Sequence, residues 1–236
     1  MRSLSLLFTL PCLFLLSSCG ASRIFSADFN SDPVGARPNA SPPGPPTGDL
    51  IYLTAGSSDP LVVADVPGFS SRGARYSNIN IPIYARYVGF MSTEITPGQR
   101  YYVHWIGRLE NFTDATPPLD IWFGDSHFQP ALSFRFHNGN VALQASSGVS
   151  PAYEVIGTYQ PDTNHVISIQ VNVETGMYHV GVIQPGDVLN SGFKPVLSTA
   201  PFSTRRPTLY MRFGTDASSA ASYAIDEVYI GTKPVD

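Results

Sequence analysis

The sequence predicts an all-β fold, a two-sheet antiparallel jelly-roll sandwich, and three observations support this. Apolar and polar residues alternate with a period of two, as they do in half-buried strands. The 236 residues include 20 Gly and 21 Pro, with only 14% charged residues and 12% aromatic residues, which is typical of short strands separated by turns. About a dozen such segments follow at 8–12-residue spacing, and none shows sustained helical periodicity.

The clearest pair of strands lies within residues 165–183. Its first half places Ile167, Ile169 and Val171 on one face and polar side chains on the other. Glu174-Thr175-Gly176 then interrupts the alternation, and Gly adopts positive φ without strain. We therefore predict an antiparallel hairpin and expect it at the centre of a sheet.

The other strands are predicted in the same way, and the turn residues set their limits. In order they are 24–29, 50–54, 61–66, 74–79, 86–91, 100–109, 119–123, 131–137, 140–145, 153–159, 196–200, 208–213 and 222–230. Asn138-Gly139 is the strongest hairpin signal among them. Residues 30–48 hold six Pro, so they cannot form a central strand. We expect an extended loop over the sandwich there, the alternative being a flexible linker.

The N-terminus reads as a targeting segment. A basic start precedes the apolar run Leu4 to Leu16, which is too short for an ordinary transmembrane span and ends in Leu-Ser-Ser-Cys19-Gly20. This resembles the lipobox of bacterial lipoproteins, the alternative being a plain secretory signal. The resemblance implies a signal peptide at 1–18, acylation of Cys19 (palmitate among the chains), a tether at 19–23 and a β-sandwich domain at 24–236. Gly20 in place of Asp implies the outer membrane in a Gram-negative host.

Charge and cysteine content exclude several classes of function. Loss of residues 1–18 removes Arg2 and no acid, which leaves 13 basic against 18 acidic side chains, a net charge of −5. An acidic chain argues against nucleic acid as a partner. Cys12 leaves with the signal and Cys19 is acylated in this interpretation, so neither a disulfide nor a zinc site of the cysteine type is expected.

Three segments resemble the concanavalin A-like (laminin-G-like) jelly-roll family of bacteria. They are Asp28–Gly35 (DFNSDPVG), Tyr159–His165 (YQPDTNH) and Ala224–Ile230 (AIDEVYI). The second departs from the family, because Asn164-His165 stands where Trp-His is usual. The resemblance implies that the last strand pairs beside the first, and that one concave sheet carries a ligand groove.

The alternating strands place a second set of side chains on the face opposite the apolar set. They are Tyr102, His104, Arg108, Trp122, Arg135, His137, Gln170, Asn172, His179 and Arg212. A groove with these residue types suits a neutral or anionic sugar, since aromatic faces stack on the ring and planar donors pair with carboxylate or hydroxyl groups. The alternative is that these residues are polar because the face is wet.

The two tryptophans receive different predictions. Trp105 shares a face with Tyr101, Val103 and Leu109 and is predicted to lie in the core. Trp122 alternates out of phase with its apolar neighbours and is either a stacking platform or partly buried under a loop.

Catalytic patterns are weak. A retaining glycosidase needs two carboxylates close together, and the E-x-D-x-x-E spacing of jelly-roll glucanases does not occur. The blocks of alginate-lyase relatives do not occur either, although Arg108, His137, Gln170 and Tyr178 supply the residue types. We therefore assign no catalytic residues.

No cofactor is predicted, apart from a structural Ca²⁺ ion that the aspartates could hold. Asp114, Asp120 and Asp125 lie near predicted loop ends, and Asp28 and Asp226 approach one another if the first and last strands pair. Ca²⁺ takes six to eight oxygen ligands. The alternative is that these aspartates cap turns.

Together these patterns predict a membrane-anchored envelope lipoprotein, most consistent with the outer membrane, whose non-catalytic sandwich binds a glycan or another envelope ligand. The alternatives are a structural or protein-interaction lipoprotein and, third, a divergent polysaccharide lyase or hydrolase.

Overall fold

The computed structural model describes residues 23–38, 48–53, 61–77, 87–92, 98–146, 151–198, 202–214 and 220–234. These ranges contain sixteen β-strands and no helix. In chain order the strands are β1 (Arg23–Ala27), β2 (Gly48–Leu53), β3 (Leu61–Asp65), β4 (Arg72–Ser77), β5 (Tyr87–Ser92), β6 (Arg100–Glu110), β7 (Leu119–Asp125), β8 (Pro130–His137), β9 (Asn140–Gln144), β10 (Tyr153–Thr158), β11 (Asn164–Asn172), β12 (Met177–Gln184), β13 (Asp187–Asn190), β14 (Lys194–Pro195), β15 (Pro207–Phe213) and β16 (Ser222–Gly231). Accordingly, no described segment is an apolar helix long enough to cross a membrane.

The strands form two antiparallel sheets packed face to face. The nine-stranded sheet has the order β13-β12-β11-β6-β16-β4-β3, with β1 beside β16 and β14 beside β12. The seven-stranded sheet has the order β10-β9-β8-β7-β15-β5-β2. The predicted all-β, two-sheet antiparallel sandwich is therefore confirmed, and so is the pairing of the first strand with the last.

The inner faces of the two sheets share one continuous core. Ile167, Ile169 and Val171 of β11 are at most 2% exposed, and each such side chain contributes about 1.5–3 kcal/mol by leaving water. Trp105 is fully buried and stacks on Phe134 of the other sheet, with ring centroids 6.4 Å apart. The core positions of Trp105 and of the β11 row are confirmed.

The predicted turn residues adopt the expected backbone. Asn138 and Gly139 both have positive φ, at 48° and 73°, as a two-residue type I′ hairpin requires. Gly176 has φ of 63° in the turn between β11 and β12. Both hairpins are confirmed.

Other expectations were wrong in detail. The β11–β12 hairpin lies toward one edge of its sheet, since among the described strands only the short β13 and β14 lie beyond β12. The longer β6 and β16 occupy the middle. Residues 196–198 are not in a strand. The short strand β13 was missed because three of its four side chains are exposed and show no alternation. Residues 30–38 form turns, while residues 39–47 and the whole predicted signal and lipidation segment, including Cys19, lie outside the described residues.

A short chain of polar groups crosses the core side of the nine-stranded sheet. Trp105 Nε1 donates to Tyr223 Oη at 2.8 Å, and Tyr223 Oη lies 3.1 Å from His165 Nε2. Because the indole only donates, the Tyr223 hydroxyl accepts from Trp105. Burial lowers the pKa of His165 to about 3, so the imidazole is neutral. Gly107 faces this chain, and a Cβ there would overlap the Tyr223 hydroxyl.

Candidate functional site

The predicted groove residues divide between the two outer faces of the sandwich. Strands β6, β11 and β12 of the nine-stranded sheet carry Tyr102, His104, Arg108, Gln170, Asn172 and His179. Strands β7, β8 and β15 of the seven-stranded sheet carry Trp122, Arg135, His137 and Arg212. The hydrophobic core lies between the two sets, so they cannot line one groove.

An acidic side chain organises two arginines on the outer face of the seven-stranded sheet. Asp120 of β7 is the direct cross-strand neighbour of Arg135 on β8 and of Arg212 on β15. Its Oδ1 accepts from Arg135 Nε at 2.9 Å, with Arg135 Nη2 at 2.8 Å, and its Oδ2 accepts from Arg212 Nη2 at 3.1 Å. Asp120 is 6% exposed, against 23% for Arg135 and 42% for Arg212. The carboxylate thus lies beneath two guanidinium groups that reach solvent.

Tyr153 and His137 surround this arrangement. The Arg135 guanidinium carbon lies 3.7 Å from the centre of the Tyr153 ring, a cation–π contact. Tyr153 belongs to β10, two strands from Arg135, and is paired with Gln144 of the intervening β9. Burial, reinforced by the Arg135 charge, lowers the pKa of His137. We call Asp120, Arg135, Arg212 and Tyr153 the arginine cluster.

An aromatic stack extends the arginine cluster along the same face. Arg212 lies 5.6 Å from the Trp122 ring, Trp122 stacks on Tyr210 at 5.6 Å, and Tyr210 contacts Phe128 at 4.8 Å. Trp122 is 9% exposed and Tyr210 is fully buried, whereas Phe128 is 41% exposed. Trp122 is therefore largely buried and is not an open stacking platform. Phe128 presents the aromatic surface to solvent.

The loop that carries Phe128 is held by Asp125. The Asp125 carboxylate accepts from the backbone N–H of His127 at 2.8 Å and of Gln129 at 3.1 Å, and from Arg205 at 2.9 Å. Phe128 has φ of +61°, a strained conformation for a bulky residue that persists only when its surroundings determine it. The exposed position of Phe128 is therefore fixed by the fold.

The outer face of the nine-stranded sheet is built differently. On β6, β11 and β12 polar side chains meet in pairs, such as His104 Nδ1 with Ser168 Oγ at 3.3 Å, and His179 Nε2 meets Asn190 Oδ1 at 2.9 Å. Toward β4, the Glu110 carboxylate accepts from Arg75 Nε at 2.6 Å, from Arg75 Nη2 at 2.9 Å and from Ser222 Oγ at 2.8 Å, so one carboxylate joins β4, β6 and β16. Burial lowers the pKa of His104, although the charge of Glu227 opposes the shift.

A row of aliphatic side chains crosses the same face. Cross-strand pairing links Ile106, Val166, Ile183 and Val188. The last two are 48% and 62% exposed. This face is therefore apolar in part, in addition to the Glu110 contacts with Arg75 and Ser222.

Sequence reasoning did not assign Asp120, Tyr153 or Phe128 to the site. Asp120 was considered only as a calcium ligand, yet its position opposite Arg135 and Arg212 follows from pairings across three strands. Its alternation with Leu119 and Ile121 was the available signal.

In the described part of the chain no three His, Cys, Asp or Glu side chains are grouped to hold a metal ion. The structural Ca²⁺ ion therefore stays a prediction.

Comparison with known proteins adds information on the fold alone. No family model and no curated protein matches the chain. Among solved structures, the binding domain of botulinum neurotoxin DC in complex with SialylT is 10% identical, with a TM-score of 0.57, over 91% of this chain and 49% of that one. A structure of botulinum neurotoxin type C, whose cell entry is dependent upon interaction with two ganglioside molecules, gives the same identity, TM-score and two coverages. A sialidase is 10% identical with a TM-score of 0.53, over 75% of this chain and 16% of that one.

The chain therefore spans about half the length of the toxin domains and a small part of the sialidase. At these identities the likeness concerns the β-sandwich fold.

Proposed function

We propose that the chain is a non-catalytic glycan-binding protein whose ligand lies on the outer face of the seven-stranded sheet. The observation that carries this proposal is the pair Arg135 and Arg212, held in place by the buried Asp120. Guanidinium groups fixed before the ligand arrives lose little conformational freedom on binding. They supply planar donors for sugar hydroxyl or carboxylate groups.

The aromatic stack supports an extended ligand. The row from Arg212 through Trp122 and Tyr210 ends at the exposed ring of Phe128, whose apolar face suits a sugar ring. The fold-level neighbours include a domain solved with SialylT and a toxin dependent on gangliosides. These support a sugar-binding role by analogy of fold, as does the resemblance to concanavalin A-like jelly rolls.

The arrangement of carboxylates supports binding in preference to hydrolysis. A retaining glycosidase uses two carboxylates that flank the scissile bond. On this face the described carboxylates of Asp120 and Asp125 both accept hydrogen bonds from arginine. Asp125 is fully buried in addition, which removes it from contact with a substrate.

The site assignment is tested with a glycan array and two variants on opposite faces. Arg135→Ala is expected to lower binding of the recognised glycan at least about tenfold, because a hydrogen bond from a charged donor is worth roughly 1.5–3 kcal/mol. Gln170→Ala, on the nine-stranded sheet, is the matched control and is expected to bind like the wild type. Equal losses in both variants would contradict the assignment. Failure of the wild type to bind any glycan would favour a protein-interaction role, with the aliphatic row as its surface.

We further propose that Cys19 carries the lipid of an envelope lipoprotein, in the outer membrane of a Gram-negative host. The support is the order of a basic start, an apolar run, small residues and cysteine within residues 1–20, which is the order of a lipobox. More than one acyl chain gives stable anchoring. Cys19→Ser is expected to move the protein from the membrane to the soluble fraction. Retention of this variant in membranes would overturn the lipid anchor.

A further inference from the structure

We infer that the ligand of the arginine cluster is an acidic glycan, one that carries carboxylate groups. This inference rests on the glycan-binding function proposed above and names its ligand class. It follows from three features of the cluster, namely which atoms face solvent, which donors remain available, and the local balance of charge.

The first feature is the depth of each charged group. The Asp120 side chain is 6% exposed, while Arg135 and Arg212 are 23% and 42% exposed. A ligand on this face therefore meets guanidinium groups and not the carboxylate that positions them. Since a guanidinium group only donates hydrogen bonds, the face selects ligands that present acceptors.

The second feature is the edge of Arg135 that Asp120 uses. Asp120 Oδ1 binds the Nε and Nη2 side of the guanidinium. Among the residues that the structure describes, Arg135 Nη1 has no acceptor at hydrogen-bonding distance. The remaining edge of the planar group presents donors to an incoming oxyanion. A carboxylate carries the opposite charge and can accept two parallel bonds from a guanidinium edge, so an acidic sugar gains more here than a neutral sugar.

The third feature is local charge. The described part of this face holds Arg135, Arg212 and the Arg205–Asp125 pair around Asp120. Arg206 acts electrostatically on Tyr210 in the same region. These groups comprise two more positive charges than negative ones, although the whole chain has a formal net charge of −4. A positive region on an acidic protein attracts an anion locally and exerts no such attraction on a neutral sugar.

His137 completes the site without adding charge at neutral pH. Burial lowers its pKa, the Arg135 charge lowers it further, and Asp120 opposes the shift. The neutral ring both donates and accepts hydrogen bonds. It therefore suits the hydroxyl groups that accompany an acidic group on a sugar.

The test compares oligosaccharides that differ only in their acidic group. A panel of oligouronides (oligogalacturonate, oligoalginate and hyaluronan fragments) is titrated into the protein by calorimetry, each beside its carboxyl-reduced form. We expect at least one native oligouronide to bind at least about tenfold more tightly than its reduced form. The difference is expected to shrink as salt rises from 50 to about 500 mM, because the attraction of partly exposed charges is screened.

Two charge-matched variants locate the effect. Arg212→Gln on the arginine cluster is expected to weaken binding of the native oligouronide about tenfold. Arg100→Gln removes the same charge from the exposed start of β6 in the other sheet and is expected to leave binding within about twofold.

The outcomes separate this inference from the function on which it rests. Equal affinity for native and reduced forms, or equal losses in the two arginine variants, would overturn the acidic ligand and leave glycan binding in place. The absence of binding to every glycan, acidic or neutral, would overturn both proposals.

Discussion

The two outer faces of the sandwich come from the same strand alternation but differ in how their side chains are held. On the seven-stranded sheet, Asp120 joins side chains from three strands, and Trp122 and Tyr210 continue the contacts as far as the Phe128 loop. On the nine-stranded sheet, Glu110 joins Arg75 and Ser222, while β11 and β12 carry separate polar pairs beside a row of aliphatic residues. The difference is that Asp120 holds two arginines and its contacts continue into an aromatic stack, whereas among the described residues Glu110 holds one arginine.

The largest expected effect is the loss of stability in acid that comes from a buried histidine of the nine-stranded sheet. His165, on the core side of the nine-stranded sheet, has a pKa of about 3, against about 6.5 in the unfolded chain. Its contribution to stability is fully present above pH 6.5 and is lost as the pH falls toward 3. At pH 4 this loss amounts to about 3 kcal/mol. It is measured by urea unfolding of wild type and His165→Gln from pH 7 to pH 4, and the gap between them should change by that amount.

The test compares variants with the wild type, because Asp226 changes the stability of the wild type with pH in the opposite direction. Burial raises the pKa of its carboxyl to about 6, so its contribution is present below about pH 4 and is lost as the pH rises through 6. The two residues therefore act in opposite directions over the same range. An Asp226→Asn background is expected to show a steeper loss of stability in acid. If His165→Gln follows the wild-type curve in both backgrounds, the neutral buried imidazole is wrong.

Removal of the group that holds the arginine cluster tests whether the two faces differ in coupling. Asp120→Ala leaves two guanidinium groups without their carboxylate and is expected to cost about 2 kcal/mol, below the value for a fully buried pair because both arginines reach solvent. Ser168→Ala, which removes a hydroxyl from a separate pair on the other face, is expected to stay within about 0.5 kcal/mol. Chemical denaturation of both variants measures this difference. Similar losses would mean that Asp120 couples its neighbours no more strongly than a single hydrogen-bonded pair on the other face.

Two glycines, one on each outer face, allow the local packing of the two faces to be compared. A Cβ at Gly89 would lie 3.0 Å from Tyr210 Cδ1, and Tyr210 cannot easily shift because it stacks on Trp122 and its hydroxyl donates to the Asp125 carbonyl. Gly89→Ala is therefore expected to cost about 1 kcal/mol. At Gly181 on the other face the nearest atom is at 3.7 Å. Gly181→Ala is expected to be neutral or to stabilise by up to about 1 kcal/mol.

Thermal unfolding of the two alanine variants provides the measurement. A lower midpoint for Gly89→Ala, together with an unchanged or higher midpoint for Gly181→Ala, would support tighter packing on the outer face of the seven-stranded sheet than on the other outer face. A lower midpoint for Gly181→Ala than for Gly89→Ala would mean that the seven-stranded sheet does not have the more tightly packed outer face.

The sequence predicted the fold better than it predicted the site, and particular residues show why. The alternation of Ile167, Ile169 and Val171, and the Asn138-Gly139 turn, act over a few residues and are visible in any short window. The arginine cluster depends on β15 lying beside β7, two segments separated by more than eighty residues. Nothing local in either strand indicates that pairing. Arg135 and Gln170 therefore looked equivalent as sequence positions, although they lie on opposite sides of the core.

By itself, the sequence determined that the chain forms strands, where most of them begin and end, and which side chains of each strand enter the core, because these properties depend on the pleat of a single strand and on the chemistry of its turns. Only the tertiary structure decided which sheet each strand joins, and so which polar side chains become neighbours. Sheet order is set by contacts between distant segments, and one aspartate between two arginines acquires its role only when three strands have been placed side by side.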